Sequence, residues 1–204
     1  MPLPYARAAV RHLKKADPVL AEVIARVGPC ALETKDHDTF EALVQSIVYQ
    51  QLNGKAAGTI HGRVLALFDG GRSLTPERLL KTPDAALRAA GLSRNKLLAV
   101  KDLAEKCRSG VVLPRKALEA MPDAEIVERL TEVRGVGEWT VHMFLMFRLG
   151  RPDVLPLGDY GVRTAFARLY GKRRSLERHA AAWAPYRTVA SWYLWRSLEG
   201  EAAL

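Results

Sequence analysis

Only two cysteines occur in the 204 residues, Cys30 and Cys107, and they form no CxxC pair. Neither a zinc ribbon nor an iron–sulfur cluster can be built from so few thiols. The five histidines show neither HxxxH nor HExxH spacing, so no transition-metal site of side chains is expected. Asp36-His37-Asp38 resembles a ligand cluster on paper, but helix capping explains it better. No apolar run approaches a membrane span, and charges at Arg11, Lys14 and Lys15 interrupt the start before any signal-peptide core. The expectation is a soluble, cytoplasmic protein with reduced thiols, away from membranes. Acids are also in short supply. With 22 Asp and Glu against 31 Lys and Arg, the net charge is +9. That balance favours a polyanionic partner held in a salt-sensitive way, although charge alone identifies none.

What the chain has in quantity is helical periodicity. At 49% hydrophobic it can bury a real core as one domain or two small lobes. Asp38-Thr39-Phe40-Glu41 has the form of a capping box, and Phe40, Leu43, Val44, Ile47 and Val48 then recur on one face. A polar patch from Tyr49 to Lys55 ends that helix before Ala56 to Leu67 resumes. Asp69-Gly70-Gly71 breaks the chain, and Thr75-Pro76 and Thr82-Pro83-Asp84 open short helices. Further helices are predicted over Leu97 to Cys107, from Pro122-Asp123, over Glu138 to Leu149, from Gly158-Asp159 to Gly171, and from about Pro185 to Leu198. No stretch alternates with period two. The class is all-α, with about ten helices.

Two places carry chemistry. In Leu130 to Thr140, two helices meet in a hairpin centred on Gly135-Val136-Gly137. Glycines there allow a tight turn and let backbone N–H groups approach a partner. The next helix begins at the same point, so its unpaired N–H groups and positive dipole end suit a phosphate. Arg134 and Thr140 flank the turn and support that reading; a plain packing turn is the equal alternative. Farther on, Asp159 follows Gly158 at a helix mouth. From the residues alone, an ordinary N-cap is its first reading.

These motifs, in this order, resemble the helix-hairpin-helix DNA glycosylases, most of all the alkylated-base branch, the 3-methyladenine DNA glycosylase II (AlkA-like) enzymes. The likeness runs from about Phe40 to Trp195. It rests on Phe40-Glu41 with Gln50-Gln51, Leu87 to Ser93, the hairpin, Pro156-Leu157-Gly158-Asp159, and Trp183 to Arg187. It implies a two-lobed fold without an N-terminal β domain, one lobe spanning 38–149 and the other 1–37 with 150–204. It further implies a monomer that excises alkylated purines, chiefly 3-methyladenine and then 7-methylguanine, from damaged duplex DNA in base excision repair. The alternatives are another lesion (hypoxanthine, ethenoadenine or a deaminated pyrimidine) or a non-catalytic DNA-binding module.

Residue by residue, the resemblance makes Asp159 the catalytic acid, stabilising an oxocarbenium-like transition state and orienting water. Trp139, Met143, Tyr160 and Trp195 would form the base pocket, with Trp195 stacking on the base. Gln51, or failing it Leu52, would fill the gap left by a flipped nucleotide; from the residues alone, Gln50 and Gln51 read rather as the cap and solvated end of a helix. Arg134, Gly135, Val136, Gly137 and Thr140 would hold the DNA backbone. Relatives that also cut the strand place a lysine two residues after the second hairpin glycine; here Trp139 stands there, so no Schiff base is expected. No cofactor is expected, though the carbonyls of Thr131, Val133 and Val136 are candidates for a bridging Na+ or K+. Trp183 and Trp192 read as core. Arg94 and Lys96 sit in a turn, more a solvated loop than a phosphate contact, and Lys172-Arg173-Arg174 reads as an exposed basic run.

Overall fold

The computed structural model describes residues 1–35 and 37–199; Asp36, of the paper cluster above, lies outside them. In chain order the α-helices are α1 (Ala6–Ala16), α2 (Pro18–Val27), α3 (Thr39–Tyr49), α4 (Gly54–Ala66), α5 (Pro76–Lys81), α6 (Asp84–Ala89) and α7 (Arg94–Arg108). They continue with α8 (Arg115–Glu119), α9 (Asp123–Thr131), α10 (Glu138–Phe144), α11 (Tyr160–Tyr170), α12 (Leu176–His179) and α13 (Arg187–Ser197). Among the described residues no strand forms, and Pro2 and Glu33 make an isolated β-bridge. No helix is long and apolar enough to cross a membrane among these residues. The all-α class holds.

Contacts divide the chain into two compact units, Met1–Asp36 with Leu145–Leu204, and His37–Phe144. In the first, α2 packs on α1 and α13, and α11 on α13. Its core includes Leu13, Leu20, Phe166, Trp183 and Tyr193. One carboxylate ties this unit together. Asp17 caps α2 through the Leu20 N–H at 3.0 Å. Its other oxygen accepts from Tyr170 Oη at 2.8 Å and Trp183 Nε1 at 2.8 Å, and meets His179 Nε2 at 2.9 Å. Burial alone would push the Asp17 carboxyl up, but these donors together hold it below the usual carboxylate range.

In the second unit α7 packs against α3, α5 and α6. The α3 face read from the sequence is the buried one: Phe40, Leu43, Val44, Ile47 and Val48 all lie in the core. The capping box closes only halfway. Asp38 accepts from the Phe40 N–H at 3.2 Å, whereas Glu41 reaches sideways to within 3.4 Å of His37 Nδ1.

The helix predicted over Glu138 to Leu149 is corrected. It is α-helical only to Phe144, and Leu145–Leu149 forms a wider π-helical turn. Gly150, at φ +66°, reverses the backbone there, and the Arg151 N–H returns to the Leu145 carbonyl at 2.9 Å. Leu145–Leu149 groups with the first unit and not with His37–Phe144. Among the described residues the α-helices number thirteen rather than about ten: α1 and α2 have no counterpart among the helices expected from the sequence, and α8 and α12 are too short for an apolar period to register.

Candidate functional site

Asp159 is the N-cap of α11 and only 8% exposed. Its Oδ1 accepts from the Val162 N–H at 2.7 Å, satisfying one of the orphan donors of the first helical turn. The same oxygen accepts from Trp195 Nε1 at 2.8 Å, a contact that reaches across from α13. Trp195 stacks on Phe147, with ring centroids 5.8 Å apart and planes at 25°. Space for the indole comes from Gly161. A Cβ at that position would stand 2.8 Å from Trp195 Cδ1, closer than real contacts allow, and 3.2 Å from Asp159 Oδ1. A carboxylate held by a helix mouth and an indole N–H is fixed in plane, poised to stabilise positive charge on a neighbouring group.

Tyr160, next along, is 83% exposed. It lines a groove of about 630 Å³ along α11 with Arg163, Thr164, Arg168, Lys172 and Arg174. Asp159, Tyr160 and Trp195 lie in one unit, where Trp195 bonds the acid while Tyr160 lines the α11 groove. Trp183 and Trp192 are core, as read.

In the other unit the hairpin joins α9 to α10. Gly135 is left-handed, at φ +76°, which L side chains rarely adopt. Gly137 has no such need: a Cβ there would meet nothing within 4 Å. The first glycine is thus required by the backbone, while the second leaves open space before the start of α10. The turn is closed by the Val136 N–H on the Val133 carbonyl at 3.0 Å. The Val136 and Thr140 side chains are buried, so Val136 can face a partner only through its backbone. Arg134 has its own N–H on Asp102 Oδ2 at 2.7 Å.

Gln51 and Leu52 lie in the turn between α3 and α4, and Leu52 is 39% exposed. Gln51 has φ +56°, a left-handed conformation unusual for a residue other than glycine. Both residues border an open pocket of about 610 Å³ with Ser46, Tyr49, Trp139 and Met143. Trp139 is 48% exposed. Four residues chosen from sequence thus converge on one pocket: Gln51, Leu52, Trp139 and Met143.

Sequence reasoning missed Gly161, Phe147 and the bond from Trp195 to Asp159. The signal available was a small residue two positions after the acid, where a helix start has no other need of glycine. Neither cysteine offers a nucleophile. Burial pushes the Cys30 thiol up and carries Cys107 to about 12, helped by the charges of Asp38 and Glu77. Among the described residues no three of His, Cys, Asp or Glu gather as a metal site.

The profile of the HhH-GPD superfamily base excision DNA repair proteins matches residues 44–185. The sequence is 34% identical over 165 residues to DNA-3-methyladenine glycosylase 1 of Schizosaccharomyces pombe, covering 78% of this chain and 72% of that one. Among solved structures, DNA-3-methyladenine glycosidase from Bacillus halodurans is similar, with a TM-score of 0.85, 40% identity, and coverage of 95% of this chain and 91% of that one. So is the 3-methyladenine DNA glycosylase Mag1 of S. pombe, solved in complex with abasic DNA, at a TM-score of 0.81, 32% identity, and coverage of 94% and 97%.

Proposed function

The chain belongs to the HhH-GPD superfamily of base excision DNA repair proteins, and from that premise we propose that it is a monofunctional DNA glycosylase for alkylated purines. Its substrates in this reading are 3-methyladenine first and 7-methylguanine second, in duplex DNA. The observation that carries the proposal is the Asp159 carboxylate, nearly buried and held by the Val162 N–H and the Trp195 indole.

Breaking an N-glycosidic bond leaves positive charge on the deoxyribose. A preorganised carboxylate beside C1′ stabilises that charge and orients the attacking water. Methylation at N3 or N7 makes the purine cationic. A cation over an aromatic face such as Trp139 or Tyr160 gains roughly 0.5–2 kcal/mol. The target base must leave the stack to be reached, and the turn carrying Gln51 and Leu52 is the filler for the gap. The backbone N–H groups of Gly135 and Gly137 are the phosphate grip, the Val136 N–H being taken by the Val133 carbonyl. A Na+ or K+ on the carbonyls of Thr131, Val133 and Val136 belongs to the same proposal. The Val133 carbonyl, although it accepts the Val136 N–H, retains a second lone pair for such an ion.

With Trp139 in place of the lysine of strand-cutting relatives, no amine is offered to the sugar, and the product is an intact abasic site. The test is purine release from methylated duplex, scored separately from strand scission. Asp159→Asn is expected to slow release by about 10²–10³-fold while leaving the melting temperature nearly unchanged, since Asn caps helices as well as Asp. Release at the wild-type rate would remove Asp159 from the chemistry. A covalent adduct trapped with borohydride would contradict the monofunctional assignment.

A further inference from the structure

We propose that Lys96 is a positioning residue for base extrusion, clamping the turn that presents Gln51 and coupling it to the hairpin. This rests on the glycosylase reading above. Lys96 stands in the first turn of α7, and its Nζ donates to the Val48 carbonyl at 2.7 Å and to the Gln50 carbonyl at 2.9 Å. The last carbonyls of a helix have no partner of their own, so the ammonium supplies what α3 lacks at its end. Two of its three protons are thereby directed into the protein. Loss of hydration at this site lowers the Lys96 pKa from the ordinary lysine value. A lysine waving in a solvated loop would keep its water.

The clamp continues through Gln50, whose Nε2 donates to the Gly135 carbonyl at 2.8 Å. The same side of α7 also lies against the hairpin. A Cβ at Gly135 would lie 3.6 Å from the Ala99 methyl, and Asp102 takes the Arg134 N–H at 2.7 Å. Lys96, Ala99 and Asp102 succeed one another at spacing three, so one helix face holds both the turn and the hairpin. Directly after the anchored Gln50 comes Gln51, at φ +56°. A non-glycine residue stays in that region only where its surroundings leave no alternative. Without Lys96 the end of α3 can relax to ordinary helical or extended backbone, and Gln51 is withdrawn from the surface it presents. The clamp keeps the gap-filling side chain at a set distance from the phosphate grip.

The experiment uses the full chain with two duplexes, one intact and one carrying a tetrahydrofuran abasic analogue beside 2-aminopurine. Wild type is expected to prefer the abasic duplex and to raise 2-aminopurine emission. Lys96→Met is expected to lose about tenfold in affinity for the abasic duplex, on the scale of one strong hydrogen bond. It should also lose the emission rise while intact-duplex affinity changes less than about twofold, and Lys96→Arg should recover part of both. Equal losses on the two duplexes would make Lys96 a phosphate contact and overturn the proposal, as would no loss at all. If Lys96→Met does not fold, Gln50→Met breaks the link to the hairpin with α7 intact and must show the same selective loss. Wild type that binds both duplexes alike removes the glycosylase reading and the clamp with it; a discriminating wild type with equally discriminating variants removes the clamp alone.

Discussion

Gly161 and Trp195 divide between them the task of holding Asp159. In an exposed helix Ala is favoured over Gly by about 1 kcal/mol, so Gly161→Ala should raise the melting temperature if nothing else mattered there. The structure demands the opposite, because the added carbon would meet the indole at 2.8 Å. Gly161→Ala is therefore expected to give no stabilisation and to slow purine release by about tenfold or more, as the indole N–H leaves the carboxylate. A variant that melts higher and works as fast would show the contact to be slack. Trp195→Phe separates the two jobs of that side chain. The ring that stacks on Phe147 is kept and the N–H to Asp159 is lost. Hydrogen bonds to charged groups contribute about 1.5–3 kcal/mol, so single-turnover release should fall by roughly ten- to a hundredfold. If only stacking matters, Phe will serve nearly as well.

Helices with a repeating apolar face, such as α3, and helices that begin at a recognisable cap, such as α11, are legible in sequence because their cause is local. The same holds for the acid at the helix mouth and for Gly135, whose left-handed backbone only a residue without Cβ adopts readily. Contacts between distant segments are not legible. Trp183 and Asp17 lie 166 residues apart, and nothing near either one announces the other. Lys96 reads as a solvated turn residue because its carbonyl partners belong to a different helix. The Asp17 knot nevertheless makes a sharp prediction. Asp17→Ala leaves buried donors of Tyr170 and Trp183 unanswered, and is expected to cost about 2–4 kcal/mol in urea unfolding at pH 7. Because its folded carboxyl titrates below the unfolded one, the contribution is complete above the unfolded pKa near 3.8 and disappears as pH falls through the lower folded value. Wild type and Asp17→Ala should therefore converge in stability in strongly acidic solution, and a constant gap down to that range would show that packing, not charge, holds the knot.

Over the whole molecule the surplus of nine positive charges has to be located before it explains anything. Part of it borders the α11 groove, where Arg163, Arg168, Lys172 and Arg174 gather and, among the described residues, no acid contributes to the wall. Among the described residues Arg163 and Lys172 make no ion pair, in contrast to Arg187, which is locked on Asp153 by contacts of 2.7 Å. Arg163 and Lys172 therefore keep their full attraction for phosphate, and each phosphate neutralised contributes about −0.9 to the slope of log K against log salt. The double variant Arg163→Ala/Lys172→Ala is expected to flatten that slope for duplex binding by about 1.8 if both side chains touch phosphate. Binding should weaken uniformly across sequences, since phosphates carry no base information. Titrations between about 50 and 200 mM salt resolve a change of that size. An unchanged slope would mean that the groove stays outside the DNA footprint and that cations elsewhere, Arg134 among them, carry the salt dependence; Arg134→Ala would then take about 0.9 from it.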